Sequence, residues 1–131
     1  MIKINQSKYK NINFFISDIE EINLDKKYDI VFSSEVIEHC SKPINALNNL
    51  LKIVDKNGYI IFSTPNILWL PVVKLATLFK LRKFNGLENF LSYNSIKDTL
   101  NSNNFKIVNF RGIHLSPFQF GFNNFHEKID N

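Results

Sequence analysis

The chain has 131 residues, enough for one modest domain with a core of its own. Hydrophobic residues make up 44%, an ordinary globular share, and thirteen Phe among recurrent Asn, Lys and Ile reflect coding bias more than a special function. The net charge of +4 comes from scattered lysines, not a clustered basic patch, so a nucleic-acid-binding module is not expected.

Met1–Lys10 is polar and without an apolar signal core, so it reads as a loose start. Ile12–Ile16 reads as a strand, followed by Ser17-Asp18-Ile19-Glu20-Glu21. In the following connection, Ile22 and Leu24 are placed to pack down. Tyr28–Phe32 is a short apolar run of the kind buried on both faces of a sheet, and Ser33-Ser34-Glu35 ends it. Cys40 is the single cysteine; it excludes an intrachain disulfide and fits a reducing, cytoplasmic setting. Ile44, Leu47, Leu50, Leu51 and Val54 recur at helical spacing, which predicts a helix over Pro43–Val54 with Pro43 in its first turn and Gly58 after its end. Tyr59–Phe62 is a second apolar strand, stopped by Ser63-Thr64-Pro65-Asn66. Strand, covering helix and strand make a βαβ unit with parallel strands. Ligands of such sheets bind beyond the carboxyl ends of the strands, here Ser33-Ser34-Glu35 and Ser63–Asn66.

After Asn66 the chain turns strongly apolar. Val72, Leu75, Ala76 and Phe79 give a helical stripe with Lys74, Lys80, Arg82 and Lys83 around it. A helical lid, a membrane-surface contact and a helix packed on the domain edge all fit this segment. No apolar run reaches the length of a membrane span. Asn85-Gly86 reads as a turn, Ser95 as the cap of a helix with Ile96 and Leu100 facing inward, and Phe105–Phe110 as an alternating strand. Phe118, Phe120, Phe122 and Phe125 in the tail have a spacing suited to a last strand, interrupted by glycine and asparagine.

The stretch Lys27–Asn66, KYDIVFSSEVIEHCSKPINALNNLLKIVDKNGYIIFSTPN, resembles the second half of a class I S-adenosylmethionine (SAM)-dependent methyltransferase. Asp29, Glu35, Glu38, His39, Gly58, Pro65 and Asn66 fall where that family's pattern puts them. The likeness covers residues 12 to 66, with a weaker continuation to about 111. It implies an α/β, Rossmann-like sheet and one partial methyltransferase domain over residues 1–131, with residues 67–94 as a lid or substrate insertion. It implies SAM as cofactor: Asp18 would accept a hydrogen bond from the adenine amino group, and Ile19 would pack on the ring. Ser33, Ser34 and Glu35 would face the methionine end. Read alone, Asp18 is more simply a surface-turn aspartate. Asn103-Asn104-Phe105 stands where the family usually has Gly-Phe, a mild departure because Asn tolerates the left-handed conformation.

Glu35, Glu38 and His39 are spaced i, i+3 and i+4, and project from one face if Ser34–Cys40 is helical. Three readings stay open. The two carboxylates and the imidazole can hold a divalent cation that activates a substrate hydroxyl. Without metal, His39 is the better base, since imidazole titrates near neutrality, and Glu38 shapes the site. Glu38 alternatively serves the start of the next helix structurally. His114 and His126 have no motif around them and read as surface or packing residues.

The family begins with a strand and a glycine-rich turn, then a strand ending in a ribose-binding acid. Gly58, Gly86, Gly112 and Gly121 are not spaced as a Gly-x-Gly loop. The sheet is therefore expected to be cut short at its amino end, with an unpaired edge on Tyr28–Phe32, and completed by a missing amino-terminal half or a dimer partner. The alternative is a non-catalytic remnant or subunit acting as a protein-interaction module. An apolar lid suits a small-molecule, lipid-linked or sugar-linked acceptor alike.

Overall fold

The structure, a computed structural model, describes residues 2–82 and 86–112, without the side chains of residues 2–4. The expected turn at Asn85, the tail phenylalanines, His114 and His126 lie outside these residues. Among the described residues the order is helix α1 (Ile2–Lys8), strand β1 (Tyr28–Ser34), helix α2 (Pro43–Lys52), strand β2 (Val54–Ser63), helix α3 (Leu70–Leu78) and helix α4 (Tyr93–Ser102). Short 3-10 turns at Ile37–His39 and Ile67–Trp69 precede α2 and α3.

β1 and β2 pair in parallel, with Val31 opposite Ile60 and Ser34 opposite Ser63. The architecture is thus the α/β, parallel-sheet arrangement expected, and α2 makes the crossover that parallel strands require. Ala46, Leu47, Leu50 and Leu51 form the buried face of α2. They join Val31, Ile37, Val54, Leu91, Ile96 and Leu100 in the core. Pro43 occupies the first turn of α2, where its missing N–H costs nothing. At the far end Lys27 reaches the Lys52 carbonyl through its ammonium group.

Gly58 lies inside β2, not between helix and strand. Tyr28 pairs with Val54 and Ile30 with Tyr59, so the residues from Asp55 to Gly58 bulge out opposite Asp29. A Cβ on Gly58 would sit 2.8 Å from the Asp29 carbonyl oxygen and 2.9 Å from that of Tyr28. Only glycine permits this approach of two backbones.

α4 is capped by Ser92, three residues before Ser95: the Ser92 hydroxyl accepts the Ser95 N–H at 3.1 Å. At its other end Asn104 takes φ 61°. The Phe105 N–H reaches the Leu100 carbonyl and the Asn104 N–H that of Asn101, the paired bonds of a Schellman motif. The expected left-handed asparagine is in place, and Phe105 is turned onto the core.

Three expectations fail. Met1–Lys10 is not loose throughout, since Ile2–Lys8 is helical. Ile12–Ile16 forms no strand, and Ile12, Phe15 and Ile16 are exposed. Phe105–Phe110 keeps its alternation, with Phe105 and Ile107 against the core, but is not hydrogen-bonded into a sheet. The last two share a cause: alternation and apolar content suit a strand, but a strand exists only where a neighbour accepts its ladder. β1 and β2 also bury one face only. Ile30, Phe32, Tyr59 and Ile61 lie exposed on the other, so the expectation of strands covered on both faces is not met within the described residues.

Gly58→Ala is expected to destabilise the chain by about 1–3 kcal/mol, the usual cost of forcing atoms into a packed contact. Urea denaturation of the two chains side by side checks this.

Candidate active site

The site is built at the carboxyl ends of β1 and β2. Ser33 continues the buried side of β1 with Val31, while Ser34 points outward and its hydroxyl lies 3.0 Å from that of Ser63. Glu35 then turns the chain with φ 51°, a conformation non-glycine residues adopt only under local constraint. That constraint is visible: the Glu35 N–H bonds the Ser63 carbonyl at 3.2 Å, and the Ser63 hydroxyl donates to Glu35 Oε1 at 2.7 Å. The two strand ends are thus stitched by backbone and side chain together.

The sharp turn at Glu35 sends the next residues inward. Ile37–His39 is one turn of 3-10 helix, which places Ile37 and Glu38 in the interior and His39 toward solvent. Glu38 is 1% exposed. Burial pushes its carboxyl above the ordinary value of 4.5; a hydrogen bond from its own backbone N–H opposes the rise. The negative charge of Glu35 and a hydrogen bond with its carboxyl raise it further, and His39 lowers it slightly. His39 Nε2 stands 3.9 Å from Glu38 Oε1, too long for a hydrogen bond. His39 Nδ1 is 3.0 Å from the Leu87 carbonyl oxygen. A carbonyl only accepts, so Nδ1 carries a proton.

Two residues the sequence reading passed over hold this turn. The Asn89 N–H donates to the Glu38 carbonyl and the Asn89 side-chain amide to the Cys40 carbonyl, both at 2.8 Å. Glu20 accepts from the Ser41 N–H at 2.7 Å, the Ser41 hydroxyl at 2.9 Å and the Lys42 N–H at 3.1 Å. Its carboxylate thereby binds the N–H groups at and just before the Lys42 N-cap of α2, whose own side chain makes no capping bond. No local motif announces this, because the partner lies twenty residues upstream. Glu20, not Glu38, takes the structural role at that helix start.

Asp18 lies in the turn that delivers Glu20. Its Oδ1 accepts the Glu20 N–H at 2.8 Å, an Asx turn. Asn49 of α2 fixes the same turn by donating to the Ile19 and Glu20 carbonyls. Ile19 is partly buried against the core. Burial raises the Cys40 thiol, and the charges of Glu20, Asp18 and Glu38 raise it further. Among the described residues no group of three or more His, Cys, Asp or Glu side chains is arranged to hold a metal ion, so Glu35, Glu38 and His39 do not form the ligand set their spacing suggested. Glu38 is turned into the interior while His39 faces solvent, so the three side chains are not presented together to one open site.

Among the described residues three buried polar atoms have no hydrogen-bond partner: Ser33 Oγ, Glu38 Oε2 and Thr64 Oγ1. All three belong to the strand ends or the turn beyond them, where parallel sheets bind ligands. Such atoms suit a ligand with hydrogen-bonding edges. A groove on α4, lined by Tyr93, Lys97, Asn101 and Phe105, involves none of these residues.

A family model described as a methyltransferase domain matches residues 2–109. The chain belongs to this methyltransferase family. Among curated relatives, a ubiquinone biosynthesis O-methyltransferase of Rickettsia conorii is 31% identical over 112 residues, covering 81% of this chain and 39% of that protein. A malonyl-[acyl-carrier protein] O-methyltransferase of Ilyobacter polytropus is 37% identical over 54 residues, 41% of this chain and 20% of that protein. A mitochondrial ubiquinone biosynthesis O-methyltransferase of Dictyostelium discoideum is 29% identical over 125 residues, 88% of this chain and 39% of that protein. The chain spans less than half the length of each of these relatives. No solved structure matches it. Family membership implies SAM as the cofactor.

Glu38 gives a pH signature. Its folded-state pKa is raised, so the folded chain binds a proton more tightly there than the unfolded chain does. Its contribution to stability is full below about 4.5 and is lost as pH rises through the raised value. Glu38→Gln is expected to flatten that decline, so stability measured by urea denaturation at stepped pH falls less steeply above 4.5 than in the parent.

Proposed function

We propose that the chain supplies the adenine wall and acceptor side of a SAM-dependent methyltransferase. The observation that carries this reading is the family match over residues 2–109, with the Glu-x-x-Glu-His turn at the carboxyl end of a parallel strand pair. SAM, when bound, supplies a methyl group already activated on a sulfonium, so the protein's task is alignment and, where the acceptor must lose a proton, a base.

In this reading Asp18 accepts from the adenine amino group and Ile19 contributes the apolar wall. The backbone at Ser33 and Ser34, with Glu35, borders the methionine end, where the unpartnered Ser33 and Thr64 hydroxyls await polar partners. His39, held through Nδ1 by the Leu87 carbonyl, is the base candidate. Glu38, whose carboxyl burial raises above the ordinary value, shapes the site beside His39. A divalent cation is not part of this reading. Residues 67–94 act within the single partial domain as the acceptor-side cover, supported by the bonds of Leu87 and Asn89 to the His39 turn. The acceptor is a small molecule or a lipid- or sugar-linked one. The relatives are named for ubiquinone biosynthesis and for a malonyl-acyl-carrier protein.

The chain alone is expected to bind SAM poorly, because no Gly-x-Gly spacing offers backbone N–H groups to the methionine part. Each charge-assisted hydrogen bond forgone is worth about 1.5–3 kcal/mol, and every ~1.4 kcal/mol is tenfold in affinity. Calorimetric titration of SAM into the 131-residue chain, and into a version joined to a glycine-loop segment before Met1, tests this. No micromolar binding is expected from the first and clear binding from the second, reduced roughly tenfold or more by Asp18→Ala. Micromolar binding by the short chain, or no effect of Asp18→Ala in the joined one, would overturn the assignment concerned.

A further inference from the structure

α3 is turned inside out. Val73 and Ala76 are its buried positions, while Leu75 and Leu78, three residues apart, face solvent with Phe79 just beyond the helix end. Leu78 is 74% exposed. The apolar surface continues past the helix because its end is fixed: the Leu81 N–H bonds the Ala76 carbonyl at 2.8 Å and the Lys80 N–H the Thr77 carbonyl at 3.0 Å. This is a Schellman motif made with a lysine in the glycine position, Lys80 at φ 57°. Leu81, fixed by its bond to Ala76, is 73% exposed. Leu68, in the turn before α3, is exposed as well.

The charges around this surface have one sign. From Ile67 to Leu87 the sequence carries Lys74, Lys80, Arg82 and Lys83 and no acidic residue. Arg82 is engaged at 2.6 Å with Glu88. Lys74 and Lys80 are exposed beside the outward leucines. Leucines and a phenylalanine facing water, bordered by lysines without acids, complement an anionic bilayer surface: acyl boundary for the side chains, headgroup phosphates for the ammoniums. No described helix is long and apolar enough to cross a membrane, so the contact is with the surface.

We propose that the outward face of α3, carried by Leu75, Leu78, Phe79 and Leu81 with Lys74 and Lys80, docks the chain on the surface of an anionic lipid bilayer. This face lies in residues 67–94, the acceptor-side cover of the methyl-transfer reading, but it uses none of the strand-end residues of that site, and its test reads vesicle binding alone, not methyl transfer.

The test is co-sedimentation of the 131-residue chain with phosphatidylcholine vesicles, with and without phosphatidylglycerol. Binding is expected on the anionic vesicles, at least tenfold weaker on neutral ones and at high salt. Leu78→Asp with Phe79→Asp should abolish it, and Lys74→Glu with Lys80→Glu should weaken it at least tenfold. These side chains are exposed, and circular dichroism confirms that each variant keeps its helices. Lys97→Glu with Lys106→Glu changes the net charge equally on the α4 side and should leave binding nearly unchanged. The proposal fails if the chain does not sediment with anionic vesicles, as expected if another protein segment covers this face instead. It fails equally if the α4-side pair weakens binding as much as the α3 pair, which would mark adsorption by net charge alone.

Discussion

The packing of α2 across one face of the β1–β2 pair governs the rest of this chain. Ile37 and Leu47, with no exposed surface, sit at its centre. That contact fixes where β1 ends, because Ile37 can reach the core only if the chain reverses at Glu35. The reversal costs a left-handed backbone at a non-glycine residue. Burial of Ile37 opposes this cost, since a fully buried aliphatic side chain contributes about 1.5–3 kcal/mol. The interior position of Glu38 and the solvent-side position of His39 follow from the same turn. The chemistry at the strand ends is thus set by an apolar residue that takes no part in it.

The parallel pair, α2 and the left-handed Asn104 were legible because each rests on a local signal: an apolar run, a 3.6-residue periodicity, an Asn-Phe after a helix. Expectations failed where the deciding partner lies far away in sequence. Ile12–Ile16 has the composition of a strand and no neighbour to make it one. Spacing grouped Glu38 with Glu35 and His39, but the 3-10 turn buries Glu38 while leaving His39 at the surface. The Glu20 clamp and the Asn89 brace had no pattern at all, since a carboxylate accepting backbone N–H groups leaves no periodic trace. Of the site, the strand-end serines and the Glu-x-x-Glu-His turn were readable from the chain, and the residues that hold them were not.

Among the described residues the apolar faces of the sheet and of α3 are both open to water, and they differ in kind. Ile30, Phe32, Tyr59 and Ile61 form a flat patch in ladder register on the sheet, the sort of face that parallel sheets cover with helices. The α3 surface is convex, helical and bordered by cations. The first asks for protein of matching shape, whereas the second tolerates a fluid partner. Their separation on different elements means that covering one leaves the other available.

The stitch between Ser34 and Ser63 has a consequence for how the chain acquires its structure. The two serines are 29 residues apart, so the pairing closes a loop that no hairpin turn can shorten. Loop closure of this size is costly before any ladder bond offsets it, and such pairings form slowly unless the intervening residues are already compact. α2 supplies that compactness, but an isolated helix of ten residues is marginal in water. The Asp18–Glu20 turn holds the start of α2 from outside the loop, so a segment upstream of both strands steadies the helix that lies between them.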